Sequence, residues 1–332
     1  MRFGTTVWYG DRPFEATAQK LYEIGFDYFE LALDYPLPEY VSATAKASLR
    51  SLLRDLGMSI AFHAPLDVFI AQPRLEIFEA SLKIMRKCVN FAAAFEPLYF
   101  NFHTTFRVST HVFEDVRKKI EENGLRACKE IARLCESLGF PACVENVFVP
   151  LEHANLLAEA LDLENLWLTF DVGHAIIAET THEKWSVAEK DKGIATTKTA
   201  TATPDASGDL AGGKADERLK RQFRGLREKA LIYLEAWLSR FKNKILVVHL
   251  HDCAVVSGSF KHGVPSVDIR LQDHISLGRG ELDIPQILES IEGVGKYMLI
   301  ETFWRDKHRL AEVDYKDLHE NLTFVKQVLR RC

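Results

Sequence analysis

The chain has 332 residues, of which 47% are hydrophobic and 27% charged, values typical of a globular protein with a large core. Its formal net charge of −5 provides no overall basic field for a polyanion, so a nucleic-acid partner would need a local patch. No apolar run approaches the roughly 18 residues of a membrane span, no signal segment opens the chain, and the six cysteines are scattered without CxxC pairs. We therefore expect reduced thiols, no membrane partner and a cytoplasmic location.

Short runs rich in β-branched and aromatic residues alternate with longer stretches of helical apolar spacing, which is typical of repeated βα units around a parallel sheet. Eight such runs are predicted to be strands: Arg2 to Val7, Tyr28 to Ala32, Ser59 to Phe62, Leu98 to Phe102, Ala142 to Glu145, Leu166 to Phe170, Ile245 to Leu250 and Met298 to Glu301. Eight units in a chain of this length predict a single-domain TIM (β/α)8 barrel of the α/β class.

One segment interrupts this alternation. Residues Asp191 to Asp216 consist mostly of Ala, Thr, Gly, Lys and Asp, with almost no large apolar side chain. Such a segment cannot bury enough surface to offset its ordering entropy, so we predict a flexible insertion. Because it follows the sixth strand, a lid over the barrel mouth is the alternative to an inert solvated loop. A helix is predicted to resume the barrel from Glu217 to Phe241.

The strand ends carry many imidazole and carboxylate groups. In chain order they are Glu30, His63, His103, Glu145, Asp171, His174, His249, His251, Asp252, Asp273, His274 and Glu301, with Asp273 and His274 expected in a loop after the seventh strand. Because strand ends meet at the barrel mouth, we expect these groups to converge there. A mixture of imidazole and carboxylate without thiolate predicts a catalytic metal site rather than a structural zinc site.

Each of these residues taken alone could instead be a hydrogen-bonded core or cap residue, and we interpret Glu30 as an internal salt-bridge partner rather than a ligand. For the whole set this alternative fails, because burying so many ionisable groups together without a cation would be costly. Phe303 and Trp304 could form a substrate wall or pack at the rim. The histidines away from strand ends are expected at the surface: His111, His153, His182, His262, His308 and His319.

Several short motifs resemble those of a known family when taken in order. They are FHAP at Phe62 to Pro65, NFH ending at His103, VEN at Val144 to Asn146, FDVGH at Phe170 to His174, HLHD at His249 to Asp252, DHISLGRGELD at Asp273 to Asp283 and IET at Ile300 to Thr302. Together they resemble the xylose-isomerase-like TIM-barrel superfamily, which includes sugar isomerases and epimerases and the endonuclease IV type of DNA-repair enzyme.

The sugar branch of that superfamily implies one divalent metal ion (Mn, Zn, Co or Mg). By resemblance its ligands would be Glu145, Asp171, His249 and Glu301. Glu145 and Glu301 would also be the catalytic base and acid in proton transfer through a metal-stabilised enediolate. His63 and His174 would bind hydroxyls of a sugar or sugar phosphate, with Trp304 as a further substrate contact. Members of this class often pair, so a homo-oligomer is an open alternative.

The endonuclease IV branch implies three zinc ions and an abasic DNA substrate. It would add His63, His103, His174 and His274 as ligands, but Gln272 occupies the position of an expected Asp. Gly4 to Val7 and Val147 to Val149 also depart from the motifs of the repair enzymes. These departures favour sugar chemistry. A barrel that binds metal without catalysis is the third hypothesis.

Overall fold

The structure is a computed structural model. It describes residues 1–8, 13–35, 37–104, 113–182, 225–261, 264–302 and 314–331, with the side chains of 256–270 left undescribed. Eight strands form a closed parallel barrel in the order β1-β10-β7-β6-β5-β4-β3-β2. They are β1 (Arg2–Val7), β2 (Tyr28–Ala32), β3 (Ser59–His63), β4 (Phe100–His103), β5 (Ala142–Glu145), β6 (Leu166–Asp171), β7 (Ile245–Leu250) and β10 (Tyr297–Ile300). The TIM-barrel prediction is confirmed.

Amphipathic helices surround the barrel. Those described are α1 (Phe14–Ile24), α2 (Ala43–Leu56), α3 (Leu75–Ala93), α4 (Glu114–Ser137), α5 (Asn155–Ala160), α6 (172–182), α7 (Leu226–Phe241), α8 (Ile284–Ser290) and α9 (Tyr315–Leu329). Their buried faces pack against the outward side chains of the strands in one large apolar cluster, which includes Phe62, Phe170 and Trp237. None of these helices is both long and apolar enough to cross a bilayer.

The helix predicted from Glu217 is described only from its later part, since residues 217–224 and the insertion 191–216 lie outside the described residues. The helix α7 begins at Leu226, after Gly225 in the left-handed conformation (φ 76°). A glycine suits this position because a side chain there would strain the backbone. The proposed lid therefore stays untested.

An antiparallel hairpin, β8 (Asp252–Lys261) and β9 (Val264–Ile275), projects between β7 and α8. It corrects the expectation that Asp273 and His274 lie in a loop, because both belong to β9. After Gly263, Val267, Ile269 and Leu271 alternate with polar residues, a strand signal that sequence reasoning passed over. The hairpin pairs Asp252 with Ile275, which brings His274 back to the end of β7.

The barrel floor is filled by three tyrosines, Tyr28, Tyr99 and Tyr297, whose ring centroids lie 5.5–6.1 Å apart. Gly4 on β1 makes room for them: a Cβ at this residue would lie only 2.4 Å from the Tyr28 ring. Tyr28 is fully buried between neighbouring strands and cannot move aside cheaply. The small residue on β1 is therefore required by the floor rather than by backbone conformation.

Gly4→Ala is accordingly expected to lower the free energy of unfolding by about 1–3 kcal/mol through overpacking. Urea denaturation followed by circular dichroism measures the change. Ser48→Ala, on an exposed position of α2, is the control and should leave the midpoint unchanged. Equal midpoints for Gly4→Ala and wild type would show that the floor is looser than described.

Five cysteines, Cys88, Cys128, Cys135, Cys143 and Cys253, are buried and not in disulfides. Burial raises the pKa of each of these thiols, to about 12 for Cys88 and Cys128. They are therefore protonated, inert packing groups at neutral pH. Cys332 lies outside the described residues.

Candidate metal centre at the barrel mouth

The period of two along each strand explains how the strand-end groups converge. Cys143, Val247 and Leu299 belong to an apolar cluster that includes the floor tyrosines. Two residues farther along the same strands or just past their ends come Glu145, His249 and Glu301, which therefore point the same way, toward the mouth. Asp171 and His103 occupy the corresponding places on β6 and β4.

The central group consists of Glu145, Asp171, His249 and Glu301, all buried, each with one ligand atom within 4.8 Å of the others. Nδ1 of His249 is the common neighbour. It lies 3.0 Å from Oε2 of Glu301, 3.6 Å from Oε2 of Glu145 and 4.0 Å from Oδ2 of Asp171. The four side chains thus face one point rather than pairing off.

Several of these converging atoms have no hydrogen-bond partner among the described residues. They are Nδ1 of His249, Oδ2 of Asp171 and Oε2 of Glu301. A buried polar atom without a partner is costly and therefore rare in folded proteins. Carboxylate and imidazole donors whose lone pairs meet at one point would instead be satisfied by a divalent cation such as Zn, Mn or Co. The residues present therefore fit a metal ion.

The charges of the group support this fit. The ion pairs described for Glu30, Glu145, Asp171 and Glu301 are all with histidines, none with Lys or Arg. Burial would lower the pKa of His249, but the charges of Glu145, Glu301 and Glu30 raise it well above the usual value. Burial would likewise raise the pKa of Glu145, yet His249 and His103 hold it well below the usual range. This electrostatic environment attracts a cation.

A second group adjoins the first through Glu145. Nε2 of His63 and Nε2 of His103 are 3.1 Å apart, and they lie 3.4 and 3.3 Å from Oε2 of Glu145. Nδ1 of His63 faces the carbonyl oxygen of Ala64 at 2.7 Å, so the tautomer that donates there leaves the Nε2 lone pair toward Glu145. Asn101 donates to the same Oε2 at 2.6 Å and fixes the carboxylate.

A third group, His174, His251 and His274, adjoins the first through Asp171. Nε2 of His251 lies 3.2 Å from Oδ1 of Asp171, which also accepts the backbone N–H of His174 at 2.5 Å. Asp171 thereby caps the N-terminus of α6 through Oδ1, while its Oδ2 faces His249. Nδ1 of His274 faces the carbonyl oxygen of Glu301 at 3.1 Å, which favours a lone pair on its Nε2. Burial and the neighbouring His251 and His174 hold the pKa of His274 well below its usual value, so it stays neutral.

Backbone geometry around His174 is unusual. His274 (φ 54°) and Phe148 (φ 53°) are two of three non-glycine residues described with a left-handed conformation, and both rings contact the His174 ring. Strained residues of this kind cluster at functional sites. Gly173 is also required here, since a Cβ would lie 2.0 Å from Cε1 of His251.

Asp252, the last residue of the HLHD motif, faces away from the metal groups. Its buried carboxylate accepts four backbone N–H groups, from Cys253, Gly278, Gly280 and Leu282, at 2.7–3.1 Å. It therefore organises the loop between the hairpin and α8. The structure makes it a structural residue rather than a ligand.

Asp252→Ala is expected to lower the free energy of unfolding by at least about 3 kcal/mol, because several N–H groups would lose their acceptor. Urea denaturation measures this. The matched control is Asp283→Ala, which removes the N-cap acceptor for the backbone N–H of Gln286 and for its side-chain amide and should cost only about 1 kcal/mol. Similar values for the two variants would contradict the role given to Asp252.

Eight candidate ligands named from the sequence meet at the mouth, in the three groups just described: His63, His103, Glu145, Asp171, His174, His249, His274 and Glu301. Trp304 and Phe303 lie outside the described residues. Sequence reasoning placed His251 among the converging groups but not among the ligands, although it lies two residues beyond His249 and so on the same face. It also gave no role to Asn101, or to Asn146, which binds the backbone of Asp171 through two hydrogen bonds.

Of the histidines expected at the surface, His153 and His319 are exposed and His182 is half-buried, whereas His111, His262 and His308 lie outside the described residues. His153, His182 and Glu152 form one further group of potential ligands, in the segment after β5 and at the end of α6. Nε2 of His182 lies 3.1 Å from Oε2 of Glu152. This exposed group is a place where added metal could bind adventitiously, and His182→Ala removes one of its ligands.

Comparison with known proteins agrees with this architecture. The family model described as "Xylose isomerase-like TIM barrel" matches residues 18–325. Similar solved structures include a D-tagatose 3-epimerase-like protein (18% identity, TM-score 0.64, covering 99% of this chain and 97% of that one). Another is D-psicose 3-epimerase from Clostridium cellulolyticum H10, with D-tagatose (15%, TM-score 0.61, 99% of each chain). A third is 3-keto-D-glucoside 4-epimerase YcjR from E. coli (12%, TM-score 0.60, 98% and 99%).

At such identities the likeness demonstrates the fold. No protein of curated function matches the chain.

Proposed function

The chain belongs to the xylose isomerase-like TIM-barrel family, and from that premise we propose that it is a divalent-metal-dependent isomerase or epimerase of a sugar or sugar-phosphate-like hydroxy-carbonyl compound. The observation that carries the proposal is the central group, in which two glutamates, an aspartate and a histidine are buried around one point at the mouth. Proton transfer beside a carbonyl needs both an acid and a base near the same carbon. This group contains both together with a metal-binding donor set.

In this proposal Glu145, Asp171, His249 and Glu301 hold the cation, which is Mn, Co, Zn or Mg. When bound, the cation supplies Lewis-acid stabilisation of negative charge on a substrate oxygen. Glu145 and Glu301 move the proton: one carboxylate removes it from the carbon next to the carbonyl, and the other returns a proton. His63 and His174 bind substrate hydroxyls, with Trp304 as a further contact.

Three observations support this proposal. The three solved proteins named above share the fold over nearly the whole chain, and two of them are named as sugar epimerases. Asn101 and Asn146 fix Glu145 and the backbone of Asp171 from the sides, so these acids are held in place before a substrate arrives. The negative net charge of the chain also suits a small substrate better than a polyanion.

Deuterium exchange tests the proposal without knowledge of the product. Protein loaded with Mn²⁺ or Co²⁺ is incubated in D₂O with a panel of ketopentoses, ketohexoses and their phosphates, and NMR follows deuterium at the carbon next to the carbonyl. Exchange into at least one ketose is the expected result. No exchange across the panel with metal-loaded protein would contradict the proposal.

One specific observation favours a second candidate, a metal-dependent phosphodiesterase acting on abasic DNA. Glu145 adjoins the His63–His103 group and Asp171 adjoins the His174–His251–His274 group, so the mouth offers donors for up to three cations. In the His174–His251–His274 group, Gln272 occupies the position where the endonuclease IV branch would have a ligand Asp. His251 supplies a ligand atom to this group instead. Clustered zinc can activate a hydroxide and neutralise a phosphate.

Metal content and incision separate the two candidates. The sugar enzyme is expected to work with one bound cation and to leave a duplex with an abasic site intact. The phosphodiesterase would hold three zinc ions per chain and would cut that duplex, with binding that weakens as salt rises. Incision that disappears in Glu145→Gln would favour the second candidate over the first.

A further inference from the structure

The Nε2 side of His249 faces a further buried carboxylate, that of Glu30. Glu30 and His249 are both fully buried inside the barrel, and Oε2 of Glu30 lies 3.7 Å from Nε2 of His249. The two ring nitrogens of His249 thus have different surroundings. Nδ1 faces the ligand group, whereas Nε2 faces Glu30 one layer deeper in the barrel.

Other histidines of the mouth hold their second nitrogen differently. Nδ1 of His63 faces the carbonyl oxygen of Ala64, and Nδ1 of His274 faces that of Glu301. Neither nitrogen of His249 has a hydrogen-bond partner among the described residues, so no backbone carbonyl does the same for it. The acceptor that faces Nε2 inside the barrel is the carboxylate of Glu30.

In the described part of the chain neither oxygen of Glu30 has a hydrogen-bond donor, and its one ion-pair contact is with His249. Its other polar neighbour is the buried hydroxyl of Tyr99, whose pKa is raised by burial and by the charge of Glu30. At 3.7 Å the contact with His249 is an ion pair, longer than a hydrogen bond. A buried, otherwise unpaired carboxylate is costly, which calls for a function.

We infer that Glu30 is a positioning residue for the metal centre: it holds the proton of His249 on Nε2, and thereby keeps the lone pair of Nδ1 directed at the point shared by Glu145, Asp171 and Glu301. An imidazole ligand must be neutral, with its proton on the nitrogen away from the cation. A carboxylate on that proton fixes the tautomer and makes the ligating nitrogen more basic. The inference rests on the proposed metal centre.

Glu30→Gln tests it, because an amide of the same size can also donate to Nε2 and so permits the wrong tautomer. Titration of chelator-treated protein with Co²⁺, followed by the visible absorption of the bound ion, is expected to show about 10–100-fold weaker binding. Glu30→Asp keeps a carboxylate and should recover part of the affinity. Glu23→Gln, an exposed change on α1, is the matched control and should bind like wild type. All proteins carry His182→Ala to remove the surface group.

A second readout separates positioning from a merely structural role. In Zn²⁺-loaded protein with ¹⁵N-labelled histidine, the NMR signals of His249 are assigned through His249→Ala. They should show a proton on Nε2 in wild type, and this Nε2–H signal should disappear or lose intensity in Glu30→Gln. The metal-free variant should unfold at no lower urea concentration than metal-free wild type, because it has lost a buried charge.

The outcomes are distinguishable. Equal Co²⁺ affinity and an unchanged tautomer in Glu30→Gln would overturn the inference while leaving the metal centre intact. If Glu30→Gln does not fold, an affinity of Glu30→Asp equal to wild type overturns the inference, and an intermediate one supports it. No Co²⁺ binding by wild type would overturn the metal centre and the inference with it.

Discussion

Glu145→Gln and Glu301→Gln are each expected to reduce the rate of deuterium exchange into the best ketose of the panel by about 10²–10⁴-fold. The physical reason is that an amide of the same shape can neither remove nor return a proton. Both residues lie within the central group, and Oε2 of Glu301 is 3.0 Å from Nδ1 of His249. The measurement is kcat from NMR exchange rates at saturating substrate and saturating Mn²⁺.

Metal content must be measured on the same samples, because each glutamate is also a proposed ligand. A variant that retains Mn²⁺ and loses exchange separates the proton-transfer role from the ligand role. Glu23→Gln is again the control, since its partner Lys20 lies on the surface of α1. Full turnover by either mouth variant would remove that glutamate from the mechanism.

Removal of divalent metal is expected to lower the melting temperature by roughly 5–10 °C, given that a ligand at a thousand times its Kd stabilises the folded state by about 4 kcal/mol. Without the cation, the carboxylates of Glu145, Asp171 and Glu301 face one another across a buried point. Differential scanning calorimetry of protein treated with a chelator, before and after Mn²⁺ is returned, measures the shift.

The double variant Asp171→Asn/His249→Ala should show no such shift, because it lacks two of the four central donors. His182→Ala should keep the shift of wild type, because the exposed group of Glu152, His153 and His182 shares no ligand with the central group. A metal-dependent shift of equal size in the double variant would mean that the stabilising cation binds elsewhere.

The fold could be predicted from the sequence because two patterns were readable at once. Eight short runs rich in β-branched and aromatic residues indicated the strands, and the helical apolar spacing between them indicated repeated βα units. The side chains at the strand ends then indicated the mouth. The strand limits differed by one or two residues, as at β3, which ends at His63 rather than Phe62, and β4, which begins at Phe100 rather than Leu98. Ends depend on neighbouring strands, which a single run of residues does not contain.

The hairpin shows why other contacts at the mouth could not be predicted. The placement of His274 beside His251 depends on the pairing of Asp252 with Ile275, a contact across the hairpin that local propensity does not specify. The pairing of Glu30 with His249 likewise joins β2 to β7 through the barrel interior. Only closure of the barrel makes such residues neighbours.

Elemental analysis of untagged protein, purified without added metal, tests the central claim most directly. Wild type is expected to contain at least one divalent transition-metal ion per chain, or to take one up from Mn²⁺, Co²⁺ or Zn²⁺. Asp171→Asn/His249→Ala should contain none at the mouth while keeping the circular dichroism of wild type. A wild type that neither contains nor binds metal, or a double variant with the same content, would contradict the account.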